Sequence, residues 1–511
     1  MSIGLMRRIA LVSAGALALP IGIAAAAPPG AGDPGIGDPY YPLYGNGGYD
    51  VAHYDIAVSY DKATDTLAGT TTVTATATDR LRSFDLDFVL PVSSVQVNGK
   101  AAGFTAKPHE LVVTPRSPLR PGQTMKVRVV YAGQPSSIEI PEYGASPWIQ
   151  TSTGAAAVGE PEIAAWWYPS NDHPRDKATF DVTVTTPADQ EALSNGVLVS
   201  NELHGDTRAW HWRESKPMAT YLAFFASGQY DITQSTSPAG LPVVTAVASD
   251  GGAEGEYAAA DLARTPEVVE WASLQWGAYP FDAMGGVAPA ADFGFALENQ
   301  TRPVYTRGFW RGGPNIYVVV HELAHQSYGD SVSVHNWRDI WLNEGFASFT
   351  EWLWSEDHGE GTGAELFDEY WDYYQGNDAF WTRVIGDPGA GHEFAGAVYD
   401  RGAMTLQALR VRIGDAAFFA TMRDWAADHR YGNAEISEFI TLAETHSGED
   451  LASFFDAWLY QPTKPEMTPE NGFPAGFAGS QRSVTSEKSA PASFTKIQRT
   501  HRQLIAAELG R

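Results

Sequence analysis

His321 and His325 stand four residues apart with Glu322 between them, in the run His321-Glu322-Leu323-Ala324-His325. On a helix, side chains at i and i+4 lie one above the other on the same face, so both imidazoles can reach one metal ion. Glu322 projects beside them, where its carboxylate can take a proton from a water at that ion. Farther on, Glu344 in Trp341-Leu342-Asn343-Glu344-Gly345 offers a carboxylate from a following helix. Two histidines and one carboxylate leave a fourth position open, the arrangement of a catalytic rather than a structural zinc site. These residues point to a zinc-dependent hydrolase.

The five-residue run also fits a buried helix whose histidines are merely hydrogen-bonded. Its flanks weigh against that. Ile316, Val318, Val319, Val320 and Leu323 make the helix apolar, and two imidazoles and a carboxylate buried there are costly without a metal to hold them. A third ligand histidine ten residues after the first would indicate a metzincin, but that residue is Ser331. His335 lies too far along for that pattern and reads as a loop histidine.

Such a site needs a scaffold, and 511 residues are too many for one hydrophobic core. Two or three domains are expected. A hydrophobic content of 44%, with 16 Trp, 22 Tyr and 23 Phe, is ample for packed domains. The formal charge of −27 argues against nucleic acid and anionic lipid as partners; it is most simply a solubility device and could also favour cationic peptides. There is no cysteine, hence no disulfide and no thiol nucleophile. Met1 to Ala27 reads as a signal peptide: Arg7 and Arg8 precede an apolar stretch from Ile9 to Ile23 and a small-residue Ala24-Ala25-Ala26 site. A secreted protein is the expectation. No later run approaches membrane-spanning length, so no stable membrane anchor is expected.

A Pro/Gly-rich linker is expected over residues 28–46. Beyond it, period-two alternation marks strands at Tyr54–Tyr60, Val73–Ala77, Phe84–Phe88, Met125–Tyr131 and Phe180–Val184. Val95-Gln96-Val97 runs into Asn98-Gly99, a hairpin turn signal. Residues 47–235 therefore read as an antiparallel β domain. Helical spacing follows at Tyr257–Trp276, Ile316–Tyr328, Ile340–Trp354 and Gly402–Ile413, so residues 236–470 read as a catalytic domain of mainly helical, α+β character. Residues 471–511 form a basic tail: from Ser480 onward it carries six Lys/Arg against two Glu. Disorder, docking onto the acidic body and a terminal helix over Ile497–Leu509 all suit that composition.

The zinc motif and its surroundings resemble the M1 family of zinc aminopeptidases, in the wider gluzincin group. The matching run is His321-Glu322-Leu323-Ala324-His325-Gln326, then Trp337 to Ala347 through Asn343-Glu344-Gly345. Phe295-Ala296-Leu297-Glu298-Asn299 occupies the place of the family's exopeptidase motif G-x-M-E-N, and Tyr399-Asp400-Arg401-Gly402 that of its Y-x-[KR]-G segment. Glu160-Pro161, with Trp167-Tyr168-Pro169-Ser170-Asn171-Asp172, is similar to a further family stretch. The resemblance implies a saddle-like N-terminal β domain followed by a thermolysin-like zinc domain, in a short two-domain form without the helical C-terminal domain of larger members. It implies one Zn²⁺ held by His321, His325 and Glu344, with Glu322 and Tyr399 catalytic. Glu298, Glu160, Ala296 and Asn299 are implied to bind a peptide with a free N-terminus. Phe295 stands where the family usually has glycine, so no first-residue preference carries over. Rival readings are an endopeptidase or an epoxide hydrolase on the same site, or a catalytically silent binding protein. Oligomeric state is not legible.

Overall fold

The structure is a computed structural model and describes residues 30–140, 146–474, 477 and 490–509. The expected signal peptide lies outside these residues.

Alternating buried and exposed positions along Tyr49–Asp61 turn one face of that strand inward. It sits near the middle of an eight-stranded sheet whose order is Val197–His204, Thr207–Met218, Ala178–Pro187, Tyr49–Asp61, Thr66–Ala77, Thr124–Gly133, Val92–Val97 and Lys100–Ala101. Pairing is antiparallel except between Tyr49–Asp61 and Ala178–Pro187, which run parallel from His53 opposite Thr179 to Ser59 opposite Thr185. The inward face buries Tyr54, Val73, Val127 and Phe180, and Tyr54 stacks on Phe180 with ring centroids 4.9 Å apart. Trp166 and Trp167 are fully buried; truncating such a side chain to alanine typically costs about 3–5 kcal/mol. Asn98 and Gly99 both have positive φ, 51° and 72°, as a tight two-residue hairpin requires.

A separate five-stranded sheet begins the second half, in the order Tyr230–Thr236, Pro242–Ala248, Met284–Ala288, Val304–Tyr305, Ala296–Leu297. Its first hairpin straddles the expected boundary at residues 235 and 236. Ser237 ties that hairpin's turn through backbone bonds to Gly240 and Leu241, so residues 235 and 236 lie within one sheet.

Helices α1 (Gly252–Leu262), α2 (Thr265–Trp276), α3 (Ile316–His325), α4 (Trp341–Asp357), α5 (Gly363–Tyr373) and α6 (Asp378–Thr382) follow. Then come α7 (Gly396–Asp428), α8 (Ile436–Ser447), α9 (Ala452–Phe455) and α10 (Ala492–Leu509). One departure from expectation concerns a segment read as peripheral. Residues 30–46 are built into the body: Asp38, Tyr44 and Asn46 are buried, and Asp38 accepts hydrogen bonds from Trp337 N (2.9 Å) and His173 Nε2 (3.1 Å). A linker would not bury a charge this way. For the basic tail, the terminal helix and docking are what the structure describes: α10 begins at Ala492 and packs against α3 and α7.

Cations donating to backbone carbonyls join the two halves. Lys177 Nζ bonds Asp330 O, Ser331 O and Gly432 O at 2.8–3.0 Å. Arg302, fully buried, donates to Ser194 O and Gly196 O and lies 4.6 Å over the Trp212 ring.

Candidate metal centre

α3 is buried along nearly its whole surface, from Tyr317 to His325. His321 Nε2 lies 3.3 Å and His325 Nε2 3.5 Å from the same oxygen, Glu344 Oε2. Tetrahedral zinc with bonds of about 2.0–2.2 Å requires ligand atoms roughly 3.3–3.5 Å apart, so both imidazole–carboxylate separations suit that ion, and all three ligand atoms lie within 4.8 Å of one another. The other ring nitrogens are occupied. His321 Nδ1 bonds Glu351 Oε1 at 2.8 Å, and His325 Nδ1 bonds the Tyr328 carbonyl at 3.1 Å. Those partners place the hydrogens on Nδ1 and leave both Nε2 lone pairs facing the site.

The local electrostatics suit a cation. Burial pushes the Glu344 carboxyl up, but His325 and His321 outweigh it and bring it down to about 2. Burial disfavours charge on His325, yet Glu344 and Glu298 raise its pKa well above the usual imidazole value. Protons thus compete with a metal for these nitrogens, and the competition strengthens as pH falls. Burial pushes Glu322 up to about 8, partly offset by His321 and His325.

α4 and α7 set Tyr399 against the ligands by crossing at two glycines. A Cβ on Gly402 would come 2.8 Å from the Gly345 Cα and 2.9 Å from Trp341. Only glycine at the crossing lets the helix bearing Glu344 approach the one bearing Tyr399 this closely. The Tyr399 ring lies nearly parallel to His321, centroids 5.9 Å apart. Burial, followed by Glu344 and Glu160, holds its hydroxyl protonated far above neutral pH.

Segment Ala296–Arg302 is pinned from both sides. Gln326 donates to the Glu298 carbonyl (2.8 Å) and accepts from Thr301 N (2.7 Å), while Thr301 Oγ1 accepts from Gly196 N at 2.7 Å. Thr301 holds a left-handed φ of 69°, a strain of about 1–3 kcal/mol that these bonds offset. Tyr221, from a turn in the β domain, donates to Glu298 Oε1 at 3.0 Å.

A cavity of about 230 Å³ collects most of the expected residues: His321, Glu322, His325, Glu344, Glu298, Ala296, Glu160 and Tyr399 line it. Asn299, implied to touch substrate, does not. Its Nδ2 donates to the Leu222 carbonyl at 2.9 Å, so its amide serves the backbone behind Glu298. The carboxylate that supports ligand histidine His321 is Glu351. Its spacing from Glu344, two turns along one face of α4, was a legible signal. Tyr41, Gly391, Glu393, Phe394 and Leu504 also line the cavity and had no motif to announce them.

Family models match both halves: "Peptidase M1 N-terminal domain" over residues 51–222 and "Peptidase family M1 domain" over residues 313–458. Among curated relatives, rat (Rattus norvegicus) glutamyl aminopeptidase is 28% identical over 337 residues, 62% of this chain and 36% of the relative. Aminopeptidase M1 of Arabidopsis thaliana is 26% identical over 332 residues, 60% of this chain and 37% of the relative. The chain thus spans little more than a third of their length. A solved M1 zinc metallopeptidase from Deinococcus radiodurans superimposes with a TM-score of 0.73 at 28% identity, covering 84% of this chain and 98% of that one. A glutamate-to-alanine variant of it, bound to a Tyr-Ser-Ala substrate, gives 0.74 at 27% identity, covering 84% and 99%.

Proposed function

This chain belongs to the M1 family of zinc peptidases, and we propose that it removes residues one at a time from the free N-terminus of peptides. The observation that carries this reading is the position of Glu298. It is a buried carboxylate, 2% exposed, with a ligand atom within 4.8 Å of those of Glu322 and His325. An α-ammonium group seated there would put the first peptide bond of a substrate beside the metal position.

Zinc, when bound, supplies a Lewis acid that polarises a carbonyl and brings the pKa of water from 15.7 to about 7. Glu322 receives the proton of the attacking water and passes it to the leaving amine. Tyr399, still protonated, donates a hydrogen bond to the oxyanion that forms on the scissile carbonyl. Glu298 and Glu160 face the cavity as acceptors for the ammonium terminus. Burial raises the pKa of Glu298; an incoming cation would bring it back to the charged form.

Glu298→Ala tests the reading. Removing one partner of a buried charge pair costs about 2–5 kcal/mol, roughly 30- to 4,000-fold at about 1.4 kcal/mol per decade. Most of the loss should fall on KM for free-amine peptides, with N-acetylated peptides cut no worse than before. An endopeptidase would cut both kinds equally in the wild type and would not register the substitution selectively.

A further inference from the structure

Helix α10 presents one face inward through Ile497, His501 and Leu504, spaced i, i+4, i+7, and all three are buried. Its outward and flanking bonds dock it firmly. Lys496 Nζ pairs with Glu360 at 2.6 Å, Thr500 Oγ1 bonds the Asn315 side chain, and Gln503 Nε2 donates to Gly308 O at 2.8 Å. Asn315 immediately precedes α3, the helix of the ligand histidines.

Two residues of the inward face reach the catalytic centre by different routes. His501 bonds Glu351 Oε1 through Nε2 (2.7 Å) and Asp400 Oδ1 through Nδ1 (2.5 Å). Glu351 Oε1 is the same oxygen that receives His321 Nδ1. The path His501–Glu351–His321 therefore runs from the C-terminal helix to a metal ligand in two hydrogen bonds, with every member at most 1% exposed. Leu504, one turn farther along, lines the catalytic cavity, as do Phe295 and Phe394.

We propose that α10 is a working part of the catalytic centre: His501 is a positioning residue that braces Glu351 against His321, and Leu504 is a wall of the pocket for the substrate's first side chain. The reasoning rests on the peptidase reading above. A carboxylate shared between two imidazoles has one oxygen fixed in place, so the His321 ring cannot swing about its Cβ–Cγ bond without breaking a bond to a buried charge. The pocket wall follows from placement. With Phe295, Leu297 and Phe394, Leu504 supplies the large apolar side chains of the cavity lining, the chemistry that receives a substrate side chain and not an ammonium group.

The test uses full-length protein with two kinds of readout. Zinc affinity, measured by chelator competition without any peptide, reports on His501. In His501→Leu the dissociation constant should rise about 10-fold or more, the lower end of what loss of a ligand's hydrogen-bonding support costs. His501→Gln, which keeps a donor toward Glu351, should recover most of that loss. In Leu504→Trp, which fills the pocket, kcat/KM for a phenylalanyl substrate should fall at least 10-fold more than for an alanyl one, with zinc affinity unchanged. Zinc affinity within twofold of wild type in His501→Leu, or no rescue by His501→Gln, overturns the bracing role; an unchanged phenylalanyl-to-alanyl ratio in Leu504→Trp overturns the wall. If His501→Leu does not fold, the His501→Gln and Leu504→Trp measurements decide. Absence of any wild-type cleavage of free-amine substrates would instead contradict the peptidase reading and leave the zinc measurement standing on its own.

Discussion

Glu322→Gln should lower kcat/KM on free-amine peptides by about 10²–10⁴-fold, the usual contribution of a positioned general acid–base, while leaving zinc binding intact. The substitution keeps side-chain volume and removes only the ability to carry a proton. Glu322 is 2% exposed on the fully buried face of α3 and is not one of the three converging donors. Fold and metal should therefore persist. The wild-type carboxyl, pushed up to about 8 by burial, would be drawn down by a divalent cation beside it, toward the range where it can accept a proton near neutral pH. Steady-state kinetics with zinc content measured on the same sample checks this. A rate within a few fold of wild type at full zinc occupancy would remove Glu322 from the chemistry.

Tyr399→Phe should cost about 10²–10³-fold, chiefly in kcat, because one preorganised donor to an oxyanion is typically worth that much. The ring would still pack on His321, and the Gly345–Gly402 crossing would hold α7 where it is, so packing and KM should change little. Glu344, Glu160 and Glu322 surround the hydroxyl with negative charge, which keeps it a hydrogen-bond donor and not a phenolate. A KM effect with unchanged kcat would make Tyr399 a binding residue only.

The zinc ligands were legible because their chemistry is local: spacing on α3 and a carboxylate near the start of α4 suffice. Strands with clean alternation, such as Tyr49–Asp61 and Thr124–Gly133, were legible for the same reason. Long-range pairings were not. The parallel contact of Tyr49–Asp61 with Ala178–Pro187 joins segments more than a hundred residues apart, and period-two patterning carries no information about partners. Residues 30–46 looked like a linker because Pro and Gly dominate them, yet Asp38 and Tyr44 are buried anchors whose partners come from distant loops. His501 was the hardest to foresee. A histidine on the apolar stripe of a basic terminal helix gives a sign of inward facing, but nothing in sequence ties it to Glu351. Asn299 shows the converse, a motif residue whose amide turned out to support the backbone.

The most direct test of the account is a zinc-binding isotherm on chelator-stripped protein at neutral and mildly acidic pH. Three donors spaced for one ion predict a single site per chain. Because Glu344 and neighbouring carboxylates raise the pKa of both ligand histidines, each must lose a proton to bind metal. Affinity should therefore weaken by up to about 100-fold for each unit of pH below those raised values. Cleavage should return in step with occupancy. Stripped, folded protein that binds no zinc, binds it independently of pH, or cleaves peptides without it would contradict the account.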